Sequence, residues 1–560
     1  MKPLQTLDYV VFLIYFVIVA AYALYIYNRK KSANPDSRDY FLAEGSLTWW
    51  AIGASLIASN ISAEQFIGMS GSGFKMGLAI ASYEWMAAAT LIIVAIFFIP
   101  VYLKNKIYTM PQFLNERYNG TVSMIMAVFW LLLYVVVNLT SILYLGALAI
   151  SSVSGIDLQL CMYALAIFAI FITLGGMKVI GYTDVIQVVV LILGGLATTY
   201  LALDLVAEHY GSSGVISGFN LLTSNAKDHF HMVLEQENPN FLDLPGLTVL
   251  IGGMWIANLN YWGCNQYITQ RALGADLKTA RNGILFAAFL KLLMPLIVVL
   301  PGIAAYLLYD QSVFRAEMIQ DNEVNPDRAY PVLLNLLPAG LKGLSFAALT
   351  AAVVASLAGK ANSISTIFTL DIYKKRINQD ASERRMVVIG RWTIVVAMIL
   401  AVIIAPHLGI DKKGGFQFIQ EYTGFVSPGV FAMFLLGFFW KKTTSNAALF
   451  ATIGGFILSV IFKKLPDWAD LEFLYNAGFS VPVTQADGNV LYEIPFLDRM
   501  GFVFVFSVLG MVIISLIENS RGVKTRGLDI DTRMFRMNPA FAAGSLLICG
   551  ILVALYTIYW

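Results

Sequence analysis

Apolar residues in this chain gather into runs near the length that crosses a bilayer, separated by short polar connections. Reading each run as a helix predicts about fourteen transmembrane spans, approximately 8–27, 48–72, 77–103, 121–150, 159–175, 182–205, 245–264, 283–309, 341–370, 387–407, 416–440, 445–462, 499–518 and 540–559. The first run, Tyr9 to Tyr27, lacks a small-residue cleavage site, so it reads as a retained helix and not a signal peptide. Three longer connections, Ala207 to Pro245, Asp310 to Gly340 and Lys463 to Asp498, hold much of the acidic and turn-forming content and are expected to fold into short caps.

Two runs depart from the pattern of a simple anchor. The second contains Ser55, Ser59, Asn60, Ser62 and a Gly-Ser cluster from Gly68 to Gly73, and the seventh reads IGGMWIANLNYWG from Ile251. Both read as interrupted helices, whose freed carbonyls and half-helix ends can coordinate ions and polar solutes. The competing reading is that glycine and serine only let helices pack closely. Interruptions at corresponding positions, five helices apart, favour an inverted repeat. Polar groups at membrane depth support this: Asn60, Glu64, Gln65, Lys75 and Glu84 lie in or at the mouth of apolar runs, where each costs several kcal/mol, roughly, unless it lines a wet cavity or finds a partner. A path for a polar solute is the first expectation.

Composition bears this out as a class. Of 560 residues, 58% are hydrophobic and 13% charged, about half the charge usual in soluble domains. The formal charge of +2 comes with lysines and arginines spread over short connections, so no basic face exists for nucleic acid. Assigning connections alternately to the two sides puts Arg29, Lys30, Lys31, Lys104, Lys106, Arg271, Lys278, Lys374, Lys375, Arg376, Arg384, Arg385, Lys441, Lys442, Arg521, Lys524 and Arg526 together. Roughly two dozen basic residues against about ten then make that side cytoplasmic, with both termini external and an even helix count. Cys161, Cys264 and Cys549 lie in or at the edge of apolar runs and are expected to be free, buried thiols.

The stretches YFLAEGSLTWWAIGASLIASNISAEQFIGMSGSG (Tyr40 to Gly73), SYEWM at Ser82, TDVIQV at Thr183, ANLNYWGCNQYITQR at Ala257 and EYTGFVSPG at Glu421 together resemble sodium/solute symporters, close to the bacterial sodium/galactose (sodium/glucose) cotransporters. The similarity runs nearly end to end. It implies an all-α integral membrane protein of the LeuT type, with a five-helix inverted repeat and interrupted helices, coupling sodium entry to hexose uptake at a cell (inner) membrane by alternating access. The expected organisation is an extra helix and cytoplasmic loop at 1–47, a first repeat at 48–206, an extracellular loop at 207–244, a second repeat at 245–440 and three further helices at 441–560.

The resemblance also implies roles. Sugar hydroxyls fall to Asn60, Gln65, Glu84, Asn258, Lys291 and Gln420, with Tyr261 covering the ring on its cytoplasmic side; Met69, Tyr83 and Phe416 form an outer gate. Amides, a carboxylate and an ammonium together suit a polyol better than an anion. Read from the residues alone, Lys291 is equally open to pairing with Glu84 or snorkelling, Tyr261 to packing, and Asn60 to mending its own interrupted helix. Glu64 is open between orienting its neighbours and touching sugar. For sodium, the resemblance implies the backbone carbonyls of Ala58, Ile61 and Ala352 and the hydroxyl of Ser356, with Asp184 on the exit route.

Three residues depart from the relatives' pattern. Ala355 stands where the galactose transporters carry a serine, Ala87 replaces a serine after YEWM, and Asn260 replaces a tyrosine. Lys360 also appears one helical turn beyond Ser356. Two accounts of the sodium ligand set stay open: a hydroxyl from Ser59 or Ser62, or a water, completes the shell, or the Lys360 ammonium stands in for the cation and coupling passes to protons or is lost.

No GxxxxGK[ST] loop, HExxH motif or nucleophile cluster is present in the sequence, and the four histidines lie in outer connections or the outer end of the tenth run. An enzyme is not expected. The expected function is sodium-driven import of a neutral hexose, with sodium as co-transported ion, no organic cofactor, and hexose, sodium and lipid bilayer as partners. The alternative is a proton-coupled or uncoupled transporter, or a sensor, of a sugar or polyol such as myo-inositol.

Overall fold

The polar residues that punctuate the apolar runs act as helix caps. Thr109 accepts from the Gln112 amide at 3.1 Å, Asp157 from Gln159 and Leu160, Asp276 from Lys278 and Thr279, Ser382 from Arg385, and Asn538 from Phe541. Each satisfies amides that a helix start leaves open, a contribution of roughly 0.5–2 kcal/mol. The resulting helices follow the apolar runs closely; the runs expected at 387–407 and 499–518, for example, become Glu383–Ile404 and Phe496–Ser520.

This computed structural model describes residues 4–29, 47–320, 323–407, 415–485 and 488–560. Lys30, Lys31 and the start of the Tyr40 to Gly73 stretch lie outside the described residues. Among those described the protein is mostly helical, with two small antiparallel hairpins, Ile319–Gln320 with Glu323–Val324 and Val481–Thr484 with Val490–Glu493. Both hairpins fall in the long connections expected to form caps, as does the Val215–Asn225 helix.

Ten of the described helices are long and apolar enough to cross a membrane, or eleven if the bent pair Phe416–Gly424 and Ser427–Phe439 is one span. The difference from the expected fourteen arises where runs are short or broken. The second run stops as a helix at Asn60, and its remainder joins the third as Glu64–Lys104, while Leu158–Thr173 has only 16 residues. The seventh run divides at Gly252 into Gly246–Ile251 and Gly253–Gly263. The eleventh, expected to be continuous over 416–440, bends by 52°. Gly424 cannot pack a side chain across the bend, and Pro428 belongs in the first turn of a new helix, where its missing amide costs nothing.

The chain forms two compact units. The first comprises residues 1–81, 130–231 and 270–419. Its helices approach closely through small residues, as membrane helices do. A Cβ built on Gly194 would lie 2.7 Å from Ala348 Cβ, and one on Gly302 would lie 2.1 Å from the Ser70 carbonyl. Hydroxyls stitch the same contacts, Thr199 donating to the Leu296 carbonyl at 2.7 Å and Ser345 to that of Gly194 at 3.2 Å. The first helix, Thr6–Arg29, docks through buried Asp8, whose carboxylate accepts from the Gly340 and Gly343 amides at 2.8 and 2.9 Å. An anion thereby sits at the start of the Leu341–Thr366 helix, where its dipole is positive.

The second unit comprises residues 82–129, 232–269 and 420–560. Buried Arg117 donates to the carbonyls of Gly437, Trp440 and Thr443 at 2.7, 2.8 and 3.1 Å, closing the C-terminal end of Ser427–Phe439. Glu421 accepts from Arg499 at 2.7 Å and pairs with Lys463 at 2.9 Å. Cys161 and Cys264 are buried free thiols, but Cys549, expected to be buried, is exposed on the last helix.

Candidate functional site

The break in the second run lies at Ile61–Ala63, between Trp49–Asn60 and a π-helical turn at Glu64–Met69, and not at the Gly-Ser cluster. The cluster packs instead. Cβ atoms built on Gly68, Gly71 and Gly73 would lie 2.7 Å from the Phe416 amide nitrogen, 2.5 Å from Asp327 and 2.8 Å from the Val299 carbonyl. For these glycines the close-packing reading holds.

Side chains at the break redirect its backbone. The Ser62 amide, which a regular helix would donate to the Ala58 carbonyl, goes to Gln65 Oε1 at 3.0 Å. The Gln65 amide, which would otherwise reach the Ile61 carbonyl, goes to that of Ser62 at 3.1 Å. Ser62 Oγ donates to Gln65 Oε1 at 3.3 Å and accepts from the Glu64 amide at 3.1 Å. The carbonyls of Ala58 and Ile61 thus lose their regular ladder donors, the condition under which backbone oxygen can serve an ion.

Mending of the break therefore falls to Gln65 and Ser62. Asn60, which the sequence left open to that role, instead accepts at Oδ1 from the ammonium of Lys291, a buried residue of the Leu277–Asp310 helix. Asn60, Gln65 and Lys291 are thus gathered around one break. Met69 and Phe416 are both buried, with Phe416 packed on Gly68 beside Met69.

Ser356, in the Leu341–Thr366 helix, donates to the Ser59 carbonyl at 3.0 Å, between Ala58 and Ile61 in sequence. Ser59 Oγ is buried with no hydrogen-bond partner, whereas Ser62 Oγ is engaged. Of the two hydroxyls considered for the missing ligand, Ser59 is the uncommitted one. Ala352 lies one turn before Ser356 on the same helix face. Lys360 is buried one turn beyond it, and it and Glu64 are mutual electrostatic partners.

Asp184 is buried and accepts from Ser55 Oγ at 2.5 Å; the same Oγ accepts from Arg271 Nε at 2.9 Å. Arg271, assigned from sequence to a cytoplasmic connection, is 1% exposed. Its charge offsets that of Asp184, which makes burial of both tolerable. The signal lay in the ANLNYWGCNQYITQR stretch, where polar residues read as a loop; its Gln266, Thr269, Gln270 and Arg271 are all buried. Lys75, by contrast, is exposed at the end of Ser70–Met76.

In the second unit Tyr83 and Glu84 occupy the first turn of Ser82–Ile93, both buried. Asn258 and Tyr261 sit three residues apart on Gly253–Gly263, hence on one face. Asn258 Nδ2 donates to the Met254 carbonyl at 3.1 Å, and half-buried Tyr261 meets Trp262 edge-on at 5.1 Å. Asn260 Nδ2 donates to Ser427 Oγ at 3.1 Å, directly after the bend. Gln420 is half-buried in Gly415–Gly424.

Comparison with known proteins decides the class. Residues 40–455 match the sodium:solute symporter family. The chain belongs to that family. This symporter is 44% identical to the sodium/glucose cotransporter of Vibrio parahaemolyticus across 100% of its own length and 99% of that protein's. It is 34% identical to the human (Homo sapiens) sodium/myo-inositol cotransporter 2, over 82% of this chain and 70% of the relative. A solved sodium-coupled sialic acid symporter, in a substrate-bound outward-open state, superposes with a TM-score of 0.74 at 22% identity, covering 92% of this chain and 98% of that one. This establishes the symporter's fold as that of a sodium-coupled symporter. It is a multi-pass membrane transporter and not an enzyme.

Proposed function

We propose that the protein imports a neutral hexose with sodium by alternating access, without covalent chemistry. The observation that carries this reading is the break at Ile61–Ala63: it diverts the amides that would claim the Ala58 and Ile61 carbonyls, in the turn where Ser356 meets Ser59 and beside the Asn60–Lys291 pair. Sodium binds those carbonyls, that of Ala352 and the Ser356 hydroxyl, with the Ser59 hydroxyl in place of the serine that Ala355 replaces, and leaves past Asp184. Asn60, Gln65, Glu84, Asn258, Lys291 and Gln420 bind sugar hydroxyls, Tyr261 covers the ring, and Met69, Tyr83 and Phe416 close above it. The 44% identity to a sodium/glucose cotransporter supports a hexose.

The proposed topology has fourteen spans, with repeats at 48–206 and 245–440, both termini external, in the cell membrane. Helices too short or too broken to count by length make up the number, as interrupted helices do in this class of transporter.

A second reading is a polyol such as myo-inositol moved with protons or without coupling; Ala355 and Lys360 favour its altered coupling, and the sodium/myo-inositol cotransporter relative favours only its substrate. Uptake of labelled glucose, galactose, myo-inositol and sialic acid into liposomes, under inward sodium, potassium or proton gradients, separates the two. Sodium-driven uptake of glucose or galactose is expected; uptake indifferent to sodium removes the coupling claim.

A further inference from the structure

Lys360 has no task in the hexose reading, and a buried ammonium needs one, because an unpaired charge in a protein interior costs several kcal/mol, roughly. It is 3% exposed, on the helix face that carries Ala352 and Ser356. Helical side chains lean toward the N-terminus of their helix, so its ammonium is carried back toward the level of Ser356. Its electrostatic partner, Glu64, is 8% exposed and opens the segment just after the break. Glu64 Oε1 is buried without a hydrogen bond. Lys360 thus stands on the helix that carries Ala352 and Ser356, and Glu64 stands just beyond the break at which the Ala58 and Ile61 carbonyls lose their ladder donors.

We propose that the Glu64–Lys360 pair is a built-in charge regulator of the sodium site: the Lys360 ammonium opposes an incoming sodium ion, and the Glu64 carboxylate cancels enough of that opposition for sodium to bind. The proposal rests on the sodium-site reading above. Coulomb forces between buried charges are weakly screened, so deleting either member shifts the field at the ligands in a direction set by the sign of the group removed. Lys360→Met, close in length and apolar, leaves an uncancelled anion and strengthens sodium binding. Glu64→Gln removes the carboxylate that offsets Lys360 and weakens it. Simple damage to packing would weaken binding in both.

The test is binding of radiolabelled sodium to the purified full-length protein, without sugar, for wild type, both single variants, the double variant and Lys360→Arg. Expected are a half-saturating concentration at least about tenfold lower in Lys360→Met and at least about tenfold higher in Glu64→Gln, equivalent to about 1.4 kcal/mol each. The double variant falls between the singles, and Lys360→Arg stays near wild type. Single variants that shift in the same direction, or do not shift, overturn the proposal, as does a double variant outside that interval. If one single variant fails to fold, the other still decides by the direction of its shift from wild type, and the double variant, which avoids an isolated buried charge, must fall on the wild-type side of it. A wild type that binds sodium but moves no hexose defeats the hexose reading and leaves this one standing. If wild type binds no sodium, binding gained in Lys360→Met supports the proposal, and none in either defeats both.

Discussion

The Ser356 hydroxyl donates to the Ser59 carbonyl at 3.0 Å, joining the Leu341–Thr366 helix to the last turn before the break. A hydroxyl so placed can turn its lone pairs to a cation in the same turn. Ser356→Ala is therefore expected to raise the half-saturating sodium concentration for hexose uptake about tenfold, since hydrogen-bond-scale contacts to a charge are worth roughly 1.5–3 kcal/mol. Ala355→Ser restores a second hydroxyl and is expected to lower it. A sodium titration of labelled-hexose uptake in liposomes checks both, and unchanged values would remove Ser356 from the site.

Gln65 has two jobs that one substitution can separate. Its Oε1 holds the Ser62 amide, so Gln65→Ala leaves a buried donor unsatisfied, destabilising by about 1–3 kcal/mol in addition to any loss of sugar contact. Gln65→Glu keeps the acceptor and removes the amide donor. The expected result is a thermal midpoint closer to wild type than that of Gln65→Ala, with sugar affinity reduced at least about tenfold. Lys291→Ala, which deprives Asn60 of its ammonium, is expected to abolish sugar binding at near-normal expression. Wild-type sugar affinity in both Gln65→Glu and Lys291→Ala would show that these residues do not contact sugar.

Apolar run length made the helices legible, because a bilayer-crossing segment leaves few polar residues to confuse the reading. The position of the break did not follow from composition. Gly68 to Gly73 looks like the weaker stretch, yet those glycines serve contacts made by residues distant in sequence, while Ser62 and Gln65 offer side-chain partners that replace a regular ladder three residues apart. The bend after Gly424 was written as Gly-Phe-Val-Ser-Pro but hidden inside an apolar run. Arg271 shows another limit: charge bias along a chain cannot tell a loop arginine from one buried in a helix with its Nε on the Ser55 hydroxyl that also meets Asp184. The proposed sodium ligands, being mostly backbone carbonyls, carry no side-chain signature and are proposed only through resemblance.

Glycine contacts predict which small residues matter. A Cβ on Gly302 would stand 2.1 Å from the Ser70 carbonyl, a rigid backbone atom, whereas one on Gly550 meets nothing within 4 Å. Gly302→Ala is expected to force the two helices apart and lower stability by about 1–3 kcal/mol, as overpacking does. Gly550→Ala is expected to be neutral or slightly stabilising, because alanine favours a helix interior by roughly 0.5–1 kcal/mol. Thermal midpoints in detergent test the pair; equal midpoints would show that the first contact relaxes freely.

Arg117 closes a helix end that would otherwise leave three carbonyls facing the interior. Its planar fork reaches all three from one side chain, a geometry that lysine lacks. Arg117→Met leaves these carbonyls unpaired and is expected to cost at least about 1–3 kcal/mol, and Arg117→Lys to recover less than half of the loss in thermal midpoint. Full recovery by lysine would mean that charge alone, and not the fork, supports the end of Ser427–Phe439.

His229 links the long 207–245 connection to the end of a helix that follows the break. Its ring stacks on Tyr306 with centroids 3.7 Å apart, and its Nε2–H donates to the Phe74 carbonyl at 3.1 Å. Gly77, at φ 69°, lets the connection lie against it; a Cβ there would be 2.3 Å from the His229 carbonyl. Burial pushes the imidazole below its ordinary value of 6.5, outweighing the opposing pull of the Phe74 carbonyl and Asp228. The unfolded chain then binds the proton more readily than the folded one, so stability rises with pH across this window: it is complete above about 6.5 and declines as pH falls through the lowered value. Protonation leaves the Nε2–H bond intact, so the loss reflects the cost of charging a ring stacked out of water. His229→Phe keeps the stack without the titrating group, and its thermal midpoint is expected to fall less than that of wild type between about pH 7 and pH 5. Parallel midpoint curves for the two proteins would show that protonation of His229 is not coupled to folding.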